Sequence, residues 1–440
     1  MKKTSKLKAL KASLTASITL PVLLAGTSVF AEEPSLDIEA ESSLLLDFET
    51  GQILHDQNGD AYRGIASMTK MLVEYILFEE IEEGNLTWDT EVTISDYAYG
   101  VSQNYALSNV PLQANGTYTV QELYEALAIY SANGATIALA EEIEGSESAF
   151  VDRMRELVEE WGVEEYELYN TTGLNNSYLN GNHYPGSDEN AENGMTAKGI
   201  AKVAVKLIED YPEVLETSSI PTKIFREGTP DAISMMNWNW MLEGLSHERM
   251  DVDGLKTGTT EYAGATFTGT AEADGRRLIS VVMGAGDGMT DRGLRFNETA
   301  KLFDHGFGDW TFNTLIEGDV VLQDVDPIPV KNGLEDTVTL KTVEELSYYV
   351  PGSGQDEKVS YTFQPNEDLL DQNGEIEAPI AEGDILGELV LDDLDDLEYL
   401  EGEANGTVQV AAAESVERAG FFTVFSNLVK DFFGKLGDRF

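Results

Sequence analysis

Strand signals stand at both ends of one long stretch, with helical patterns between them, so any sheet this chain builds must be assembled from pieces some two hundred residues apart. Near the start, Ser43 to Phe48 and Gln52 to His55 are apolar-rich runs separated by Glu49-Thr50-Gly51, which predicts a β-hairpin. Strand patterns return in Met250 to Leu255, Ala263 to Ala271 and Arg277 to Gly284, the last two joined by the turn pair Asp274-Gly275. Between them Val120 to Tyr130, Ala135 to Glu144 and Ala197 to Asp210 carry helical periodicity and predict an all-helical lobe. From Ser67 to Glu83 the apolar residues Met68, Met71, Leu72, Tyr75, Ile76 and Ile81 predict a largely buried helix, stopped by Gly84.

Charge removes whole classes of partner. The chain carries 28 basic and 80 acidic residues, a net charge of −52. Nucleic acid is excluded, because phosphate binding needs a basic footprint. Such a surface stays hydrated but repels itself, a cost that dissolved salt screens. There is no cysteine, hence neither a disulfide framework nor a thiolate zinc site, and the four histidines form no H-E-x-x-H pair. No metal and no cofactor is expected. No G-x-S-x-G elbow occurs, which argues against a serine and histidine couple.

The ends read as addresses. Residues 1–31 hold Lys2, Lys3, Lys6, Lys8 and Lys11, a short apolar stretch broken by Pro21, and the small residues of Val29-Phe30-Ala31. This predicts a secretion signal cleaved after Ala31. From Thr311 to about Ala411 short alternating runs punctuated by Gly, Pro and Asn predict a small β-rich domain. Its acidic run from Asp392 lacks the glycine and spacing of a calcium loop, and the group Asp56, Asn58 and Asp60 has Ser67, not Glu, at the twelfth position of such a loop. At the end, Phe421, Phe422, Phe425, Leu428, Val429, Phe432, Phe433 and Leu436 share one helical face opposite charged residues, predicting a helix that lies in a membrane interface. The expected division is thus 1–31 signal, 32–310 catalytic domain, 311–411 β-rich domain and 412–440 anchor helix.

Three short motifs carry the chemistry: Ser67-Met68-Thr69-Lys70, Ser131-Ala132-Asn133 and Lys256-Thr257-Gly258. In the first, both side chains lie on one helical face, so an amine can reach the hydroxyl proton. A free serine hydroxyl is a poor nucleophile, and Lys70 can act as its base only if neutral. Burial beside a second cation, Lys256, would lower its pKa for that purpose. The Ser67 N–H at the helix start faces a developing oxyanion. Ser131 and Asn133 read equally well as an N-cap and turn, or as a proton relay and a grip on the substrate backbone. Lys256-Thr257-Gly258-Thr259 ends a strand, where lysine and hydroxyls suit a carboxylate, Gly258 lets a substrate lie close, and the Thr259 N–H completes an oxyanion hole.

These motifs, with Asn170-Thr-Thr-Gly-Leu174, Thr196-Ala-Lys198, Val252 to Gly258, Arg277 to Gly284 and Gly306-Phe307, make the chain resemble a low-molecular-weight penicillin-binding D-alanyl-D-alanine carboxypeptidase of the serine peptidase S11 kind. The resemblance implies an α/β fold of the penicillin-binding and β-lactamase-like type: an antiparallel sheet flanked by helices plus a helical lobe, followed by a small β-rich domain and an amphipathic C-terminal helix. It implies Ser67 as acyl-enzyme nucleophile, Lys70 as proton acceptor, Ser131 and Asn133 as partners, and Lys256 to Thr259 as the substrate strand. It also implies Arg295 as a residue helping to hold the terminal carboxylate. The substrate would be a peptidoglycan stem peptide ending in D-Ala-D-Ala, with β-lactams as covalent inhibitors and the outer face of the membrane as the location. An endopeptidase acting on cross-links shares this machinery. A β-lactamase is the next rival, since Glu165 to Asn170 has the look of a deacylating loop, but its spacing is one residue too long. A non-catalytic cell-wall-binding protein would have lost a motif residue, and none is lost. The stretch Asn175 to Asn193 departs from the family as an enlarged loop.

Overall fold

The structure, a computed structural model, describes residues 36–286, 288, 290–352, 360–391, 397–402 and 406–421. The signal segment 1–31, positions 392–396 of the acidic run and the apolar stripe beyond Phe421 lie outside the described residues. Among the described residues no helix is long and apolar enough to cross a membrane.

A five-stranded antiparallel sheet is built from both ends of the first 290 residues, as the strand signals require. Its strands are β1 (Ser42–Asp47), β2 (Ile53–Gln57), β3 (Val252–Thr260), β4 (Gly264–Ala273) and β5 (Arg276–Ala285), in the order β3-β4-β5-β1-β2. β1 closes the sheet by pairing with β5, Leu45 opposite Ser280. The β4–β5 turn falls on Asp274 and Gly275, with φ of 53° and 80°, the left-handed pair that tight hairpins need.

Strand alternation sends side chains to two different cores. Leu44, Leu46, Ile279, Val281 and Met283 pack under the helical lobe, whereas Leu45, Leu278, Val282 and Phe267 meet the helix that follows β5. The lobe's helices are α1 (Lys70–Glu82), α2 (Val120–Tyr130), α3 (Asn133–Glu144), α4 (Glu147–Glu160) and α5 (Ala197–Asp210). On the other face lies α6 (Leu294–Gly308), through Phe296, Leu302 and Phe303. α1 buries every residue from Lys70 to Phe78, so it is a core helix with no water-facing stripe.

The lobe is not wholly helical. Tyr166–Glu167 and Arg63–Gly64 both pair with Gly194–Met195, and Glu91–Thr93 pairs with Thr117–Thr119. Two- and three-residue ladders are too short for alternation to register in sequence. Asp56 and Asp60, passed over as calcium ligands, both hold the Lys198 ammonium, at 3.0 and 2.9 Å.

Beyond α6 a second apolar core forms among Val338, Leu340, Leu386, Leu389, Val408 and Val410. Its main sheet runs Leu340–Thr342, Thr407–Ala412, Ile385–Leu391, Tyr361–Pro365. The β1–β2 turn meets a neighbouring two-stranded ladder, Trp310–Ile316 with Leu346–Pro351: the Gln52 amide donates to Tyr349 O at 2.8 Å and accepts from Tyr349 N at 3.0 Å.

Candidate active site

The nucleophile motif sits on a strained turn. Ala66 has φ of +44°, uncommon for a residue with a Cβ, and Ala66–Thr69 form a 3-10 turn that hands over to α1 at Lys70. Ser67 is half-buried on that turn, whereas Lys70 has no exposed surface. The Lys70 amine lies 2.9 Å from Ser67 Oγ, 2.9 Å from Asn133 Oδ1 and 2.7 Å from the carbonyl of Thr172.

The contacts at this amine suit both of its charge states, since an ammonium can donate to all three neighbours while the Ser67 hydroxyl turns to Thr172 O. Asn133 Oδ1 and the Thr172 carbonyl can only accept. A neutral amine has two hydrogens, which they use, leaving its lone pair for the Ser67 hydroxyl. Burial first, and then the Lys256 charge, push Lys70 well below the usual lysine value, while Glu74 and Glu147 pull the other way. The arrangement can therefore draw a proton from Ser67.

Ser131 is not the N-cap that its neighbours suggested. It ends α2 in the left-handed conformation, φ +58°, and the N-cap of α3 is Ala132. This exposes its Oγ to the Lys256 amine, which donates to it at 3.0 Å. The Asn133 amide, expected to face the substrate backbone, has both ends engaged: Oδ1 with Lys70, and Nδ2 donating to Ser108 O at 2.9 Å. Its geometry holds the base.

Lys256, Thr257, Gly258 and Thr259 lie within β3, the edge strand beside the nucleophile turn. One side of its backbone is thus open to an added strand. Gly258 serves the fold as well as any ligand, since a Cβ there would stand 2.8 Å from Ile65 O and 3.0 Å from Ala66 Cβ. Lys256 is buried, and burial lowers its pKa, with Glu74 opposing and Arg295 assisting. Arg295, 1% exposed on α6, spends its Nη1 on Gly258 O at 2.7 Å, Thr259 Oγ1 at 2.9 Å and Thr266 O at 3.1 Å. It braces the strand from within the fold. Burial and the Arg292 charge lower its pKa, yet a guanidinium remains charged at neutral pH.

A model of the D-alanyl-D-alanine carboxypeptidase family, peptidase S11, matches residues 28–287. The chain belongs to that family. It is 28% identical to the D-alanyl-D-alanine carboxypeptidase DacF of Bacillus subtilis, over 94% of this chain and 96% of that one. Among solved structures, the peptidoglycan synthesis regulatory factor PBP3 of Streptococcus pneumoniae superposes with a TM-score of 0.66 at 36% identity, covering 87% of this chain and all of that one. Penicillin-binding protein D2 of Listeria monocytogenes, in a cefotaxime-bound form, gives 0.52 at 29% identity, covering 62% and 99%.

In this S11 chain several groups around the site escape sequence reading. Thr172 contributes a carbonyl, which no side-chain pattern announces. Its loop is shaped by Asn170, whose Oδ1 accepts from Thr172 N at 3.1 Å, Thr172 Oγ1 at 2.8 Å and Gly173 N at 2.7 Å. Gly173 has φ of +74°, and a Cβ there would fall 1.8 Å from Ala66 O, so only glycine lets the loop close on the nucleophile turn. The enlarged stretch Asn175 to Asn193 reaches β3, where Thr260 Oγ1 donates to Glu192 at 2.6 Å. Glu74 stands four residues after Lys70 on α1, and burial raises its pKa while Lys256 and Lys70 lower it. An acid inside the otherwise apolar run Met71 to Phe78 is the signal available.

Proposed function

We propose that Ser67 is the acylated nucleophile of this serine D-Ala-D-Ala carboxypeptidase and that its substrates are peptidoglycan stem peptides. The observation that carries this reading is the Lys70 amine, fixed by two acceptors and turned to Ser67 Oγ at 2.9 Å. The peptide lies along β3, its terminal carboxylate facing Lys256 and the hydroxyls of Thr257 and Thr259. Arg295 supports that strand. Neutral Lys70 takes the Ser67 proton as Oγ attacks the penultimate D-alanine carbonyl, and the N–H groups of Ser67 and Thr259 receive the oxyanion. The C–N bond then breaks. The proton passes from Lys70 through the Ser131 hydroxyl to the departing amine, releasing D-alanine. Water attacks the ester, giving one proton to Lys70 and through it to Ser67 Oγ, and the shortened peptide leaves as a carboxylate whose remaining proton passes to solvent. A β-lactam enters the same step with its amide ring in place of the peptide bond.

The assay is release of D-alanine from a pentapeptide ending in D-Ala-D-Ala, run beside a cross-linked dimer. The pentapeptide is the expected substrate, and cleavage of the dimer alone would reject the carboxypeptidase reading.

The charge pattern fixes a pH dependence. The acylation rate by labelled penicillin should rise with pH as Lys70 loses its proton, and fall at higher pH as Lys256 loses the charge that holds the carboxylate. Because the Lys256 cation lowers the Lys70 pKa, Lys256→Gln should move the acidic limb to higher pH. A limb that stays in place or moves lower would reject the coupling.

The chain is taken to be exported, with residues 32–310 catalytic and 311–411 β-rich, and held on the outer membrane face by the aromatic stripe after Phe421. Deleting residues 421–440 should release the protein from vesicles of anionic lipid while leaving penicillin labelling unchanged. Retention of binding would reject the anchor.

A further inference from the structure

Glu147 is a buried carboxylate with no part in the steps above. It opens α4, directly after the N-cap Ser146, and is 6% exposed. A carboxylate is costly to bury unless donors replace its water. Here Oε1 accepts from Thr171 N at 2.9 Å and Thr171 Oγ1 at 2.7 Å, and Oε2 accepts from the Tyr97 hydroxyl at 2.5 Å. The positive end of α4 adds to them.

What this group grips is the residue before Thr172. The Thr172 carbonyl takes the shortest of the three Lys70 contacts, 2.7 Å, and lies 3.3 Å from Ser67 Oγ. Asn170 holds the Thr172 and Gly173 amides from one side. Glu147 holds Thr171 from the other. Without that second grip Thr171 is released, and the Thr172 carbonyl, one peptide unit further on, is left to the Asn170 hold on the Thr172 and Gly173 amides alone.

We infer that Glu147 is a positioning residue for acylation, which by anchoring Thr171 fixes the Thr172 carbonyl that aims the Lys70 amine at Ser67. The inference rests on Lys70 being the base. The titratable groups facing Glu147 are Tyr97, from the helix Asp96–Ser102, Glu141 from α3 and Lys70 from α1.

The test compares Glu147→Ala and Glu147→Gln in the full chain, reading the rate of acylation by fluorescent penicillin against pH, with thermal melting to register the fold. Alanine removes the grip, and a misplaced base should slow acylation about 10- to 100-fold. Glutamine keeps an oxygen for both Thr171 donors and should stay within about 3-fold of the parent, because hydrogen-bond geometry and not charge sets the position. A folded alanine variant acylating within about 3-fold of the parent overturns the inference, as does a glutamine variant as slow as alanine. Should the alanine variant not fold, the glutamine variant decides. Losing a negative charge that favours the Lys70 ammonium should move the acidic limb to lower pH, and an unmoved limb overturns the link. Normal acylation by Lys70→Ala would instead overturn the reading on which this one stands.

Discussion

Ser67→Ala is expected to lower both D-alanine release and penicillin labelling by about 10⁴-fold or more, with the melting temperature nearly unchanged. Loss of a serine nucleophile removes the covalent route altogether, and what remains is substrate binding beside the oxyanion donors. Ser67 is half-buried on the turn and, among the described residues, its Oγ hydrogen-bonds Lys70 and the Thr172 carbonyl, so alanine fits without strain. Measuring D-alanine by a coupled assay and label by gel fluorescence checks the claim. Retention of a tenth of the activity would place the nucleophile elsewhere.

Lys70→Ala should slow acylation by about 10³-fold, within the range for a lost general base. Stability responds to opposing terms. The variant no longer buries an amine, but Asn133 Oδ1 and the Thr172 carbonyl lose their donor, at about 1–3 kcal/mol each if they stay dry. Lys70→Arg is the sharper control. Arginine keeps a cation and the donors but cannot become neutral, so it should be as inactive as alanine. An arginine variant with substantial acylation would show that Lys70 acts as a fixed charge and not as a base. Acylation rates from stopped-flow mixing with a chromogenic β-lactam give the comparison.

How far the sequence exposed this site can be judged residue by residue. Local geometry is readable: the Asp274-Gly275 turn, the apolar start of α1 that buries Lys70, and the strand bearing Lys256. Contacts depending on chain crossings are not. Ser131 looked like an N-cap because helical residues follow it, yet a left-handed residue ends one helix and turns its hydroxyl to a lysine 125 positions away. Asn133 reads from sequence as a turn residue or a grip on the substrate backbone, and the fold brings Ser108 O and Lys70 to the two ends of its amide. Thr172 acts through its backbone. Glu147 resembles any acid at a helix start, and only the return of Thr171 from a distant loop gives it a role. The expected export signal and anchor rest on the residue pattern at the two ends, outside the described residues.

The central claim, that Ser67 carries the acyl group, is tested most directly by mass spectrometry of the mature protein mixed with benzylpenicillin and digested. The account predicts one adduct of the antibiotic's mass, on the peptide containing Ser67, gained by the parent and absent from Ser67→Ala. An adduct on the Ser131 peptide, or no adduct at all in a folded protein, would contradict it.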